Sequence, residues 1–164
     1  FLTMYYVPDV ENAWKSVYYL QNEVAFGEIV RGMHHWGASL VIVMMFLHTL
    51  RVFFTGSYKK PRELNWIVGV GIFGVMMGLG FTGYLLPWDM KALFATKVGI
   101  EIAASVPFIG EYIKILLAGD STILGAQTLT RFFAIHVFFL PAALFALLAA
   151  HFIMIRRQGI SGPL

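Results

Sequence analysis

The sequence predicts an all-α membrane protein, a transmembrane four-helix bundle with interfacial surface helices. Hydrophobic residues make up 59% of the 164 residues and charged residues only 13%, whereas soluble domains have about 45–50% and about 25%. Three long windows contain no charged residue, and all five histidines lie in or at the ends of the predicted spans. This composition disfavours a soluble enzyme. The net charge of +3 is spread thinly, so we expect no nucleic-acid partner.

The charge-free windows give the spans. Residues 32–50, 64–88 and 132–155 contain no Asp, Glu, Lys or Arg, and each window is long enough to cross about 30 Å of hydrocarbon. We therefore predict a single transmembrane domain over residues 1–164, in which residues 1–6 end a first span and three full spans follow: span B (32–54), span C (64–88) and span D (132–155).

The loop charges predict the topology. The connection between spans B and C is rich in Lys and Arg, and the tail after span D begins with Arg156 and Arg157. The positive-inside rule therefore places both segments, and the C-terminus, in the cytoplasm. Residues 9–28 and 98–119 are too polar to span, and we predict that they form surface helices on the outer side; ordinary connecting helices fit the pattern equally.

The histidines carry the chemical signal. His34 and His48 have an i, i+14 spacing in span B, and His136 and His151 have an i, i+15 spacing in span D. In an α-helix both spacings return close to one face after about 21–22 Å. Spans B and D run in the same direction, so His34 pairs with His136 near the outer side and His48 with His151 near the inner side. Ionisable residues inside a membrane are costly and usually functional.

Two histidines on facing helices form the axial ligand set of a haem iron. Zinc is a weaker interpretation, because two histidines do not complete its tetrahedron; hydrogen-bonded packing histidines are a further alternative. His35 has no partner at its depth. Gly69 and Gly83, which also have an i, i+14 spacing, would admit either a flat macrocycle or a closely packed helix. Three arginines, at positions 31, 51 and 131, are candidates for haem propionates or simple interfacial anchors.

Several motifs resemble those of a known family. Arg31-Gly-Met-His34, His48-Thr-Leu-Arg51, Gly83-Tyr-Leu-Leu-Pro-Trp88 and Thr128-Leu-Thr-Arg-Phe-Phe-Ala-Ile-His136 resemble cytochrome b of quinol:cytochrome c reductases. The ending after His151 and the i, i+15 spacing resemble the short, split, chloroplast-type form. Outside these motifs, the detailed sequence is most similar to that of the menaquinol:cytochrome c reductases of Gram-positive bacteria.

The resemblance implies ligands for two haem b groups. His34 and His136 would ligate the low-potential haem near the outer surface, and His48 and His151 the higher-potential haem near the cytoplasm. Gly69 and Gly83 match glycines that flank the rings, and Gly37 is a weaker candidate. A third haem, bound through a Cys of the first span, occurs in split members; that Cys would lie upstream of these 164 residues, which contain none.

The resemblance also implies a complex. Phe81, Tyr84 and the surface helices up to Gly119 would form half of an outer quinol-oxidation site. Function would be electron transfer across a bacterial cytoplasmic membrane, between quinol oxidation and quinone reduction, with proton translocation. The implied partners are a subunit-IV-like protein, a Rieske iron–sulfur protein and a c-type cytochrome, in a dimeric complex that is needed for activity. The alternatives are a metal or proton transporter and a di-haem membrane anchor of a dehydrogenase.

Overall fold

The computed structural model describes residues 1–119 and 124–161, which are helical apart from short connections. The helices are α1 (Leu2–Tyr5), α2 (Ala13–Asn22), α3 (Gly27–Phe54), α4 (Glu63–Leu85), α5 (Met90–Ala104), α6 (Gly110–Ala118), α7 (Ala126–Ala134) and α8 (Leu140–Gln158), with a π-helical segment over Ile135–Phe139 between the last two.

Three helices are long and apolar enough to cross a membrane: Gly27–Phe54, Glu63–Leu85 and the continuous run Ala126–Gln158. They correspond to the predicted spans with different bounds. The first begins before residue 32, and the last runs beyond both ends of 132–155. The second stops at Leu85 rather than 88, because Pro87 follows and Trp88 takes a left-handed φ of 54°, which an α-helix does not allow.

The π-helical segment interrupts the last long helix at a proline. The Leu140 N–H bonds to the Ile135 carbonyl, an i to i−5 bond, and Pro141 follows. Proline has no N–H for the carbonyl one turn before it, and its ring clashes with that carbonyl in a regular α-helix. A wider turn accommodates both effects by inserting one extra residue.

Contacts between distant segments define the two ends of the bundle. At one end Arg62, in the α3–α4 loop, donates from Nη2 to the Ile160 carbonyl over 3.1 Å, so this loop and the tail after α8 lie together. At the other end the Tyr6 hydroxyl donates to the Leu86 carbonyl over 2.8 Å. The four short helices outside the long spans, α1, α2, α5 and α6, lie around that second end.

The predicted surface helices over 98–119 form a hairpin that begins earlier, at Met90. Asp89 caps α5 by accepting the Ala92 N–H over 2.8 Å. Lys114 of α6 pairs with Glu101 of α5 over 3.0 Å, and this hydrogen bond and negative charge raise the pKa of Lys114. Under the hairpin lies a buried apolar cluster that joins it to the long helices: Leu85, Ala92, Ile100, Ala118 and Phe132.

Candidate functional site

The outer histidine pair faces across two helices. His34 lies on α3 and His136 in the π-helical segment, and their ring centres are 6.0 Å apart with the planes at 86°. At this spacing His34 and His136 would each contribute one ring nitrogen to a single metal ion between them.

Two groups of helix α4 hold His136 in place. Its Nδ1 lies 3.1 Å from the Leu79 carbonyl oxygen of α4 and 3.2 Å from the Thr82 hydroxyl. A carbonyl oxygen only accepts, so this network assigns the proton to Nδ1 and leaves Nε2 free to bind a metal. A second partner of this kind fixes the orientation of most metal-binding histidines.

Gly83 is the residue that lets His136 approach α4. A Cβ built there would lie 2.5 Å from His136 Cε1 and 3.0 Å from Nδ1, which is too close for any side chain. The glycine therefore contacts the imidazole itself, one helical turn after the Leu79 carbonyl that accepts its proton. Gly83 therefore allows the close approach of His136, and its role beside a macrocycle stays a prediction.

A cavity of about 330 Å³ opens beside the outer pair, with His34, His136, Gly83 and Arg31 in its lining together with apolar side chains. Such a mixture of apolar walls and few convergent polar groups is typical of a cofactor pocket. The two imidazoles and the absent Cβ of Gly83 fit the residues that a bis-histidine haem requires.

The inner histidine of the last long helix also contacts a glycine of α4. His151 of α8 packs against Gly69, where a Cβ would lie 3.4 Å from its Cε1. Within the described residues, its buried Nδ1 makes no hydrogen bond of normal geometry. His151 therefore lacks, among the residues that the structure describes, the Nδ1 partners that His136 has.

The predicted propionate contacts lie in three different settings. Arg31 lines the outer cavity and donates to the Gln21 side chain of α2. Arg131 donates to the last carbonyls of α6, those of Ile115 and Leu116, so it fastens the surface hairpin. Arg51 is exposed near the end of α3.

Two other predicted positions stand apart from the paired histidines. A Cβ at Gly37 would meet nothing within 4 Å, so this face of α3 is open. His35 is exposed and packs edge-on against Trp36, with ring centres 5.4 Å apart.

The three residues predicted to contact quinol lie in different surroundings. Phe81 packs edge-on against Phe132, with ring centres 5.6 Å apart, and joins the apolar cluster under the hairpin. Tyr84, one turn later, is 53% exposed. Gly119 ends α6 at φ +89°, next to the Gln127 side chain.

Zinc lacks a ligand set in the part of the chain that the structure describes. No three His, Cys, Asp or Glu side chains there are grouped to hold a metal ion. The paired histidines therefore suit a metal whose remaining ligands come from a macrocycle.

Comparison with known proteins identifies the family. The model for "Cytochrome b/b6/petB" matches residues 1–159. The chain belongs to the cytochrome b family. Its function is electron transfer, as a cytochrome b subunit of an oxidoreductase complex in a membrane, and the resemblance and fold class predicted from sequence are confirmed.

Relatives place this cytochrome b more closely. It is 85% identical, over its whole length, to the menaquinol:cytochrome c reductase cytochrome b subunit of Geobacillus thermodenitrificans, of which it spans 73%. It is 48% identical to cytochrome b6 of Heliobacterium modesticaldum, of which it spans 76%. A chain of a hyperthermophilic respiratory complex III has the same fold, with a TM-score of 0.89 and 32% identity over 99% of this chain and 44% of that one.

Sequence reasoning missed the groups that hold the outer histidine. The Leu79 carbonyl leaves no trace in a sequence, because every residue has one. Thr82 is a polar side chain within the apolar span C, and that contrast was the available signal. The π-helical segment had a signal too, in the proline at 141.

Proposed function

We propose that the chain is the di-haem cytochrome b subunit of a menaquinol:cytochrome c reductase, with bis-histidine ligation by His34 and His136 at the outer site and by His48 and His151 at the inner site. The outer geometry carries this proposal: two imidazole centres 6.0 Å apart beside a cavity of about 330 Å³. The high identity to the menaquinol:cytochrome c reductase subunits supports the choice of complex.

The chain's own residues position and line the sites. The Leu79 carbonyl and Gly83 orient His136, while Gly69 lies against His151. Apolar side chains line the outer cavity together with Arg31, which can pair there with a carboxylate. When bound, haem supplies a reversible one-electron redox couple.

Two sites at two depths suit electron transfer across the membrane. His34 and His48 share one helix at an i, i+14 spacing, which is about 21 Å along the helix axis. Such an arrangement links a quinol-oxidation site on the outer side to a quinone-reduction site on the cytoplasmic side. We place the exposed Tyr84 ring, with Phe81 behind it, at the outer quinone site, and the surface hairpin ending at Gly119 beside it.

The proposed assembly contains a subunit-IV-like membrane protein, a Rieske iron–sulfur protein and a c-type cytochrome, in a dimer in the bacterial cytoplasmic membrane. The 164 residues contain no Cys and so supply no thiolate for an iron–sulfur cluster. The inner-side loop and the tail are proposed to face the cytoplasm.

The test is a haem count on the purified intact complex, by haemochrome assay and low-temperature electron paramagnetic resonance. We expect two low-spin haems b with bis-histidine signatures bound to this chain. His136→Leu should remove the outer signal alone, whereas His35→Leu is the matched control and should keep both. Fewer than two haems b on this chain in the wild type, or loss of a haem in the control, contradicts the proposal.

A further inference from the structure

Helix α4 presents two similar sites to the histidines of the last long helix, one near each of its ends. At the inner site Gly69 contacts His151, and at the outer site the Leu79 carbonyl and Gly83 face His136. The position just before each glycine differs in chemistry. It is valine at the inner site, Val68, and threonine at the outer one.

The threonine hydroxyl faces His136 from within the bundle. Thr82 is 4% exposed, and its hydroxyl donates to the Gly78 carbonyl over 2.8 Å. Its proton is therefore committed to its own helix, and an oxygen lone pair is left for the His136 Nδ1–H at 3.2 Å. His136 thus has two acceptors, the Leu79 carbonyl and this hydroxyl, whereas His151 Nδ1 has no well-formed bond in the described chain.

Hydrogen-bond acceptors at Nδ1, the ring nitrogen that does not bind the metal, change how strongly an imidazole donates electrons to the metal. They draw the Nδ1 proton away from the ring, which makes the ring more basic and a stronger electron donor through Nε2. Stronger donation stabilises the oxidised metal over the reduced one. Hydrogen bonding around the ligands is one of the levers that set a haem's reduction potential.

We propose that Thr82 is a positioning residue that lowers the reduction potential of the outer haem through its hydrogen bond from His136. This inference rests on the proposed function, since it needs a metal at His136. It assigns part of the difference between the two haems to one hydroxyl, at a site where the inner half of α4 carries a methyl group instead.

The experiment is a redox titration of the intact complex that follows each haem by its own spectrum. Thr82→Val removes the hydroxyl and keeps the side-chain shape. We expect it to shift the outer haem's reduction equilibrium at least about threefold toward the reduced form, about 28 mV higher for a one-electron couple. The inner haem is an internal reference and should not move.

Two further variants separate the hydroxyl from mere packing. Thr82→Ser retains the hydroxyl and should keep the wild-type potential. Thr49→Val is the matched control, because Thr49 follows His48 but its hydroxyl bonds to the Met45 carbonyl of its own helix; neither haem should respond to it.

The outcomes are distinguishable from failure of the proposed function. Full haem content with an unchanged or lowered outer potential in Thr82→Val overturns the role of Thr82 and leaves the di-haem assignment intact, whereas a wild-type chain without two haems overturns the assignment. If Thr82→Val does not assemble, Thr82→Ala gives the same reading. If neither retains the outer haem, Thr82→Ser decides: a wild-type potential supports the role of the hydroxyl, and loss of the haem overturns it.

Discussion

At the scale of single residues, the distinction between two glycines of α4 is the sharpest consequence of the structure. Both face a histidine, but at different distances: a Cβ at position 83 would lie 2.5 Å from His136 Cε1, and one at position 69 would lie 3.4 Å from His151 Cε1. The first distance is a clash and the second a tight contact. The two glycines therefore differ in what they tolerate.

We expect Gly83→Ala to displace His136 and to abolish or strongly reduce the outer haem, whereas Gly69→Ala should retain both haems. Alanine alone favours an α-helix over glycine by about 0.8–1.0 kcal/mol, so a loss at position 83 would report the contact and not the backbone. The measurement is the haem content and the reduced-minus-oxidised spectrum of the two variant complexes. Equal haem retention in both would show that α4 shifts to absorb the methyl group.

The inner ligands make a second prediction at this scale. His48→Leu and His151→Leu should each remove the inner haem and spare the outer one, because the two pairs share no ligand. Quinol should still reduce the outer haem in these variants, while reduction of the inner haem should disappear. Loss of both spectral signals from an assembled complex would contradict independent pairs.

At the scale of elements, the π-helical turn resolves the unequal histidine spacings. At about 100° per residue, an i, i+15 spacing overshoots four turns by about 60°, whereas an i, i+14 spacing falls short by about 40°. The turn over Ile135–Phe139 takes up one extra residue. His136 and His151 are therefore presented much as an i, i+14 pair would be in a regular helix. π-turns of this kind are frequent at functional sites.

If the π-helical turn takes up one extra residue, a deletion and an insertion next to His136 should have opposite effects. Deleting Phe138, whose side chain is 66% exposed, together with Pro141→Ala gives an i, i+14 spacing that a regular α-helix accommodates, so both haems should remain. Inserting one alanine after Phe138 rotates His151 by about 100° relative to His136 and should cost the inner haem. Haem counts on the two assembled variants test this, and retention after the insertion together with loss after the deletion would refute it.

At the scale of the whole molecule, the structure gathers the α3–α4 loop and the tail at one end and the surface hairpin at the other. The loop and tail are joined by Arg62 and by a 2.8 Å bond between the Ser57 and Ser161 hydroxyls. Because both basic segments lie at the same end of the bundle, a single orientation in the membrane satisfies the positive-inside rule for both of them. On the positive-inside rule, we propose that this end faces the cytoplasm.

Single cysteines can test this topology, because the 164 residues contain none. We expect Lys59→Cys and Arg157→Cys to react with a membrane-impermeant maleimide only in inside-out vesicles. Ser105→Cys, in the exposed turn between α5 and α6, should react from the outside of intact cells. Labelling of all three positions from the same side would contradict the proposed orientation.

The sequence by itself determined the class of the molecule and predicted its candidate site residues. Long charge-free windows are a property of the chain alone, since burying charge in hydrocarbon is costly wherever the helix packs, and three long apolar helices follow. The four paired histidines and the glycines at 69 and 83 also came from spacing, because each pair returns to one face of its own helix.

Only the tertiary structure decided how those groups meet. Periodicity describes one helix at a time, so it could not show that Gly83 accommodates the His136 ring. Nor could it show that the Leu79 carbonyl and the Thr82 hydroxyl bind Nδ1 of that ring. The contact of Arg131 with carbonyls of α6 was equally invisible to it. It also assumes a regular turn, which Pro141 prevents. Contacts between helices depend on their relative rotation and distance, and those are set by packing, which no single helix encodes.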